Sequence, residues 1–365
     1  MSASPDPDAT LRAAAREAAA GRDLDGELAE VTARALLADG AGDAAAAALL
    51  TALARKGHAA GEVAALVRVV LAAAPHVPWD GTATADLVGT GGDGSGSVNL
   101  STLAALVAVA GGATVAKAGN RATTSACGSA DLLEALGVPI APGPLGIAGS
   151  LLRHRFAFIH TPALHTAVGR WTRLRRRLGI RTLFNLSGPL SNPVADGPRL
   201  IGVADPREQD VLAEAAHLLG HRRTWVVRGG EGLDEVSTAC PTRVLEVTGS
   251  GVRPSVIDPA ELPVRPARVA DLKGGDTARA AALAEALLSG TAPDALRDAV
   301  AANAGVLLRL TGHAADLVDG VGRARDALAS GAALRLLDAL RAPQRHGPAV
   351  HPTPTDTEEP LHASR

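Results

Sequence analysis

From residue 10 to residue 74, apolar positions recur at spacings of three and four: Leu28, Val31 and Ala35, then Leu49, Leu50 and Leu53, then Val63, Leu66, Val67, Val70 and Leu71. That period lays one apolar stripe along each member of a helix series. Gly40 to Gly42 and Gly57 interrupt the series, and Asp43 is a candidate N-cap. The pattern predicts a helical domain of about four helices over residues 10–78, ending in the turn-forming residues Pro75, Pro78, Trp79 and Gly81. Residues 1–9 are polar and proline-containing and are expected to be disordered.

From Ala85 the pattern changes to short β-type runs at 85–88, 113–116, 156–159, 199–203, 224–228 and 243–247, with long helical segments between them. Alternation of this kind predicts an α/β domain with a mostly parallel sheet and helices on its faces, over 82–164 and 191–342. The arginine-dense segment 165–186 reads as helix, and part of 165–190 is expected to join the N-terminal helices. Beyond Leu340 the chain turns to Pro, His, Thr and Glu, and residues 343–365 read as an unstructured tail. There is no internal repeat.

A chain of 365 residues, 47 % apolar, can build one large or two ordinary cores. Its net charge of −2 gives no overall bias toward nucleic acid or membrane. The alanine-rich stretch Ala44 to Ala48 is followed by Arg55, Lys56, Glu62 and Arg68, long before about twenty apolar residues accumulate, so no membrane span is expected. Two cysteines, Cys127 and Cys240, and an opening without a basic-then-apolar leader make the cytoplasm the expected location.

Two glycine-rich loops carry the chemistry. Gly89-Thr90-Gly91-Gly92-Asp93-Gly94 follows the first β-type run and leads through Ser97, Asn99, Ser101 and Thr102 to a helix expected near Leu103. Lys117-Ala118-Gly119-Asn120-Arg121 follows the second run and leads to Thr123, Thr124, Ser125 and Ser129. Glycines let backbone N–H groups approach phosphate oxygens, and hydroxyls beside a helix N-terminus add donors where the dipole favours anions. Such a cradle suits a diphosphate with a metal.

The first loop also fits GxGxxG, but a dinucleotide site needs the helix directly on the glycines and an acid at the end of the second strand, where this chain has Lys117. A P-loop is excluded because no Gly-Lys-Ser/Thr follows. Asp234-Glu235 closes the loop Gly229 to Leu233. An acidic pair on a loop is ordinarily solvated surface; beside a diphosphate cradle the two carboxylates supply oxygen ligands for a hard cation. Six arginines between Arg170 and Arg181 read mainly as a solvated cationic helix face.

Six blocks, taken in order, resemble the anthranilate phosphoribosyltransferase family: Asp86 to Gly94, Asn99 to Thr102, Lys117 to Arg121, Gly128 to Gly137, Leu178 to Pro193 and Gly232 to Glu235. The resemblance implies that Gly89, Thr90, Gly92, Asp93, Ser97, Asn99, Ser101 and Thr102 hold the diphosphate and ribose of phosphoribosyl pyrophosphate. Lys117, Gly119, Asn120, Arg121, Thr124, Ser125 and Ser129 would form the second wall. It implies magnesium, two ions per site, on Asp234 and Glu235 with Ser101. It implies an acceptor site at Gly89, Ala118, Asn120, His165 and Arg175, in which the Arg175 guanidinium binds the acceptor carboxylate. By the same resemblance Lys117, Asn120 and Arg175 are the expected catalytic residues, a homodimer through the helical domain is the expected assembly, and the substrate cleft is expected between the two domains.

The chain departs from the family on the acceptor side. Ala118 stands where the family usually has histidine. The family's His-Pro-Ala maps without a gap onto His165-Thr166-Ala167, and with a gap onto Thr161-Pro162-Ala163; His165 is preferred because a helix tolerates gaps badly. The reading is transfer of a phosphoribosyl group to the amine of anthranilate, in tryptophan biosynthesis. A relative that uses another aromatic or heteroaromatic acid is one alternative. A non-catalytic nucleic-acid binder of the same fold is the other, disfavoured by the neutral charge and the intact donor loops.

Overall fold

The computed structural model describes residues 6–122, 126–140 and 143–342; residues 1–5, the expected tail 343–365, and Thr124 and Ser125 of the expected donor wall lie outside the described residues. Helical structure begins earlier than expected. The first helix is Pro7–Ala19, with proline at its first position and the Asp6 carboxylate accepting from the N–H of Asp8 at 3.0 Å. Three more follow, Gly26–Leu37, Asp43–Lys56 and Ala60–Ala72. Asp43 is the first residue of its helix and not the cap; Gly42 occupies the cap position, and its N–H donates instead to Asp8 Oδ1 at 2.7 Å.

Seven strands form the sheet: β1 (Asp86–Gly89), β2 (Val115–Gly119), β3 (Phe156–His160), β4 (Arg199–Gly202), β5 (Thr224–Gly229), β6 (Thr242–Thr248) and β7 (Gly251–Ile257). The first six fall on the six expected runs. The seventh was not expected, because Arg253 and Pro254 interrupt its apolar character; proline is tolerated there because β7 is an edge strand. β2 and β3 pair in parallel, and β1, β4 and β5 pair in parallel in that order. β6 and β7 complete the far side antiparallel. The two groups meet where Ala85 N donates to Thr114 O at 2.8 Å and Ala116 N donates to Ala85 O at 2.9 Å. The spatial order is therefore β3-β2-β1-β4-β5-β6-β7. The chain runs outward from β1 to β3 and then returns to the other side of β1 as β4, so the sheet reverses its winding at β1. A crevice outside the carboxyl ends of the strands at such a reversal is the ordinary ligand site of an open α/β sheet.

One face of the sheet packs on helices Leu100–Ala110 and Asp294–Leu310 through Leu103, Val107, Val300 and Leu307. On the other face, Ile201, Val203, Val226 and Leu245 share an apolar cluster with Leu36, Leu49 and Leu66 of the first helices and with Trp171, Phe184 and Leu186. The helical part thus continues the sheet's own core. The arginine-dense segment is not one helix but a series of short ones, Thr161–Leu164, Thr166–Gly169, Thr172–Leu178 and Leu183–Ser187. Trp171 fixes it to the N-terminal helices by donating from Nε1 to Leu36 O at 2.9 Å.

Candidate active site

At the reversal point a cleft of about 370 Å³ opens between the carboxyl ends of β1 and β2 and the segment 161–191. The first loop forms its floor. Gly91, Gly92, Gly94 and Gly96 all take positive φ, between 62° and 85°, which glycine adopts without a steric penalty. The helix expected near Leu103 opens at Leu100, which brings Ser101 and Thr102 into its first turn. Ser101 lines the cleft, as do Gly89, Thr90, Gly92, Asp93, Ser97 and Asn99. Thr102 does not. Its side chain is wholly buried and its N–H is already bonded to Asn99 O at 3.0 Å, because the helix turns it away from the cleft.

The loop Gly232–Glu235 crosses the ends of β1 and β4. Glycine is required at both ends: a Cβ on Gly89 would run into the Asp234 carboxylate, and one on Gly202 into the Asp234 backbone. Asp234 and Glu235 are only 9 % and 7 % exposed. Asp234 Oδ2 accepts from Gly91 N at 2.9 Å. Burial and the neighbouring Asp93 push the Asp234 carboxyl up to about 6, and burial and Asp234 push Glu235 well above the usual carboxylate range. The Oδ2 of Asp93 and the hydroxyl of Thr90 are buried with no hydrogen-bond partner among the described residues. Carboxylate oxygens are the ligands a hard divalent cation takes, and the Asp234-Glu235 pair and Asp93 are the residues here that could offer them. Among the described residues no three His, Cys, Asp or Glu side chains are gathered into a metal-holding group, so a cation on the pair would draw its remaining ligands from a bound diphosphate or water.

Lys117 was expected on a loop and is instead the third residue of β2, 1 % exposed. Its ammonium donates to Leu87 O at 2.6 Å and to Ser101 Oγ at 3.3 Å. Burial lowers its pKa, opposed by Asp86, Glu235 and Asp234. Asp86 is buried with it: Oδ1 accepts from Ala118 N at 3.0 Å, and Oδ2 from Asn192 Nδ2 at 2.9 Å. Asn192 also donates to Ala116 O at 2.7 Å, so β1, β2 and the Ser191-Asn192 turn are bonded through two side chains. Asn120 and Ser129 are tied to each other, the Asn120 N–H donating to Ser129 Oγ at 3.2 Å. Arg121 lines the cleft with its guanidinium forked onto Glu134 at 2.7 Å on both arms. Asn99 Nδ2 joins the two loops by donating to Cys127 O at 3.1 Å.

The expected acceptor residues Gly89, Ala118, Asn120, His165 and Arg175 all line the same cleft, His165 and Arg175 from the segment 161–191. Arg175 is half-buried, and burial lowers its pKa; it lies 5.4 Å from the centroid of Phe184, and Nη2 donates to Asn185 Oδ1 at 3.3 Å. His165 Nε2 donates to Ser191 O at 2.8 Å, which fixes the proton on Nε2, and burial keeps the ring neutral. Thr161 and Pro162 line the same cleft. The segment breaks at His165 and again before Thr172, so the continuous helix that argued against a gap does not exist, and residues of both registers reach the site. Of the six arginines, Arg170 bonds to Ala38 O at 2.6 Å and Ala41 O at 2.7 Å and stacks on Trp171, while Arg173, Arg176 and Arg177 are exposed. Phe184, Asn185 and Arg181 belong to the cleft and were not singled out from the sequence, although all three lie in the block Leu178 to Pro193.

Over most of its length the chain is similar to known proteins. A family model described as glycosyl transferase family, a/b domain, matches residues 81–334. The chain is 42 % identical over 321 residues to an anthranilate phosphoribosyltransferase of Roseiflexus castenholzii, with 88 % of this chain and 94 % of that one covered. It is 40 % identical over 294 residues to that of Desulfatibacillum aliphaticivorans, covering 80 % and 87 %. Among solved structures, the anthranilate phosphoribosyltransferase of Thermus thermophilus matches with a TM-score of 0.83 and 42 % identity, over 90 % of this chain and 98 % of that one. The Saccharomyces cerevisiae enzyme in complex with phosphoribosyl pyrophosphate and magnesium matches with a TM-score of 0.82 and 28 % identity, over 91 % and 97 %.

Proposed function

We propose that this chain, which belongs to the anthranilate phosphoribosyltransferase family, transfers the 5-phosphoribosyl group of phosphoribosyl pyrophosphate to the amine of anthranilate and releases diphosphate, a step of tryptophan biosynthesis. The observation that carries the reading is the polarity of the cleft: glycine loop, Lys117 and the Asp234-Glu235 pair at one end, Arg175 at the other.

Breaking the bond from ribose C1 to diphosphate builds positive charge on the sugar and negative charge on the leaving group. Rate then depends on electrostatic stabilisation and alignment more than on a strong base, because an arylamine is already neutral at pH 7. Lys117 stabilises the departing diphosphate together with the loop amides. Arg175 forks onto the acceptor carboxylate while Phe184 and Asn185 hold the guanidinium in place. Asn120, at the start of the second loop, orients the amine toward C1. The neutral His165, with its proton held on Ser191 O, leaves Nδ1 as an acceptor on the acceptor wall. Asp234 and Glu235, with Ser101 beside them, would hold magnesium, two ions per site, which when bound offsets the charge of the diphosphate. We further place the enzyme in the cytoplasm as a homodimer formed through the helical domain.

Diphosphate release measured with phosphoribosyl pyrophosphate, magnesium and a panel of aromatic acids tests the reading: turnover with anthranilate supports it, and none with anthranilate rejects it. One observation favours a second reading. Ala118 on the acceptor wall leaves space where the family usually has an imidazole, and turnover confined to a larger aromatic acid would select that alternative.

A further inference from the structure

The donor loop is held by a residue that the proposed chemistry does not use. Gly179, with a φ of 64°, ends helix Thr172–Leu178 and turns the chain back toward β1, which delivers Arg181 against the first loop at the edge of the cleft it lines. Its guanidinium bridges two elements. Nε and Nη2 fork onto the Glu208 carboxylate at 3.1 and 2.6 Å, and Nη1 donates to Gly91 O at 2.6 Å, with Thr90 O at 3.4 Å. Glu208 sits in the first turn of helix Pro206–Leu218, which Asp205 caps shortly after β4, so this carboxylate is fixed to the sheet. Gly92 has a φ of 85°, and a Cβ on it would occupy the position of Arg181 Nη1. Glycine at 92 therefore makes room for an arginine as well as for a ligand.

An exposed ion pair contributes little by itself. This one differs in geometry: both arms of the fork are used on one carboxylate and the third nitrogen on the backbone of the donor loop. In a trans peptide the carbonyl and the N–H point in opposite directions. Holding Gly91 O toward Arg181 therefore turns the Gly92 N–H away from the guanidinium. The preceding peptide is held at both ends, its carbonyl facing Arg181 and its N–H bonded to Asp234 Oδ2 at 2.9 Å. A loop with four positive-φ glycines otherwise samples many conformations, and ordering it would be charged against ligand affinity.

We propose that Arg181 is a positioning residue for the donor: held by Glu208, it presets the Thr90 to Gly92 peptides so that they meet the diphosphate of phosphoribosyl pyrophosphate. The inference rests on the donor assigned under the proposed function. Arg181→Lys keeps the charge and loses the fork, and Glu208→Gln keeps the shape and loses the charge. With both substrates varied at saturating magnesium, Arg181→Lys raises KM for phosphoribosyl pyrophosphate about tenfold or more and leaves KM for anthranilate within about twofold, as expected for loss of charge-assisted bonds that touch one substrate's loop only. Glu208→Gln moves the same constant in the same direction by less, and the double variant is no worse than Arg181→Lys alone, because Glu208 acts through Arg181. A folded Arg181→Lys with unchanged KM for the donor, an equal rise in both constants, or additive effects in the double variant overturns the proposal. Should Arg181→Lys fail to fold, Glu208→Gln decides the matter by the same split. A wild-type chain that neither turns over nor binds phosphoribosyl pyrophosphate overturns the assigned donor and this inference together; one that does, with the variants unaltered, overturns the inference alone.

Discussion

Lys117 Nζ donates to the carbonyl oxygen of Leu87 at 2.6 Å, across the junction of β2 and β1, and the same ammonium reaches Ser101 Oγ at the mouth of the donor loop. One cation therefore serves two ends. Toward the sheet it balances the buried Asp86; toward the cleft it balances Asp234 and Glu235. Lys117→Met keeps the stem and removes the charge. Stability should fall by about 1 to 3 kcal/mol, because the buried Leu87 carbonyl loses its donor; Asp86 keeps Arg199 as a cation and its bonds from Asn192 and Ala118. Transition-state stabilisation should fall by about 2 to 4 kcal/mol, as for loss of a charged group at developing negative charge. Urea unfolding and kcat/KM read the two losses separately. Normal turnover in a folded variant would assign Lys117 to the sheet alone.

The acidic pair makes the opposite trade. Asp234→Asn with Glu235→Gln removes two buried carboxylates whose pKa values burial raises, with Asp93 adding to the rise at Asp234 and Asp234 to that at Glu235, and an amide oxygen can still accept from the Gly91 N–H. The double variant should melt no lower than the wild type without magnesium, and should lose the upward shift in Tm that magnesium gives the wild type by binding only the folded state. A magnesium response equal to that of the wild type would remove the metal from this site.

Arg175, which lines the cleft beside Asn185 and Phe184, is the residue proposed to bind the acceptor carboxylate. Arg175→Ala should weaken anthranilate by about 1.5 to 3 kcal/mol, the range for a hydrogen bond to a charged group, and leave donor affinity unchanged. Calorimetric binding of phosphoribosyl pyrophosphate beside steady-state KM for anthranilate checks this. A loss shared equally between the two substrates would mean that Arg175 supports the wall through Asn185 and Phe184 and does not bind the carboxylate.

Which features were legible follows from how local their causes are. Each of the first six strands is an apolar run bounded by turn residues, and each glycine loop announces itself by composition. Strand order is non-local: nothing near β4 says that it lies beside β1. β7 hides behind Arg253 and Pro254 because an edge strand can be half solvated. A charged residue at the end of an apolar run ordinarily leaves the core, yet Lys117 stays inside because the Leu87 carbonyl and Ser101 Oγ, both distant in sequence, accept from it there and Asp86, Glu235 and Asp234 favour its charge. The start at Pro7 was written in the pair Asp6-Pro7, an N-cap followed by the one residue that needs no N–H at that position. Arg181 was lost among like residues, since only the turn at Gly179 separates its direction from that of Arg175.

One pH effect lies outside the cleft. Burial, and then Arg199, lower the pKa of His221 from its ordinary 6.5 to about 3. The unfolded chain binds a proton there below pH 6.5 and the folded chain does not, so stability is fully present above that value and is lost as pH falls toward 3, by at most about 1.4 kcal/mol per unit. Unfolding free energies between pH 7 and pH 5 should fall more steeply in the wild type than in His221→Asn. Equal slopes would show that His221 titrates normally in the fold.

The acceptor turns on Ala118, which is 3 % exposed and lines the cleft, with its N–H bonded to Asp86. That bond holds the backbone at 118 in place whatever the side chain, so a substitution there tests the pocket and not the strand. Ala118→His restores the residue usual in the family. If anthranilate is the acceptor, the imidazole should be neutral or helpful for its turnover and should leave donor KM alone. If the space at Ala118 is used by a larger acid, the same ring overfills it, which commonly costs about 1 to 3 kcal/mol, and turnover of that acid should fall while anthranilate gains. Turnover of a panel of aromatic acids by the two forms reads the difference directly. Strong anthranilate turnover by the wild type, unaffected or improved by the histidine, assigns the chain to tryptophan biosynthesis. No anthranilate turnover in either form, with another acid active only in the wild type, would leave the donor half of the site standing and replace its acceptor.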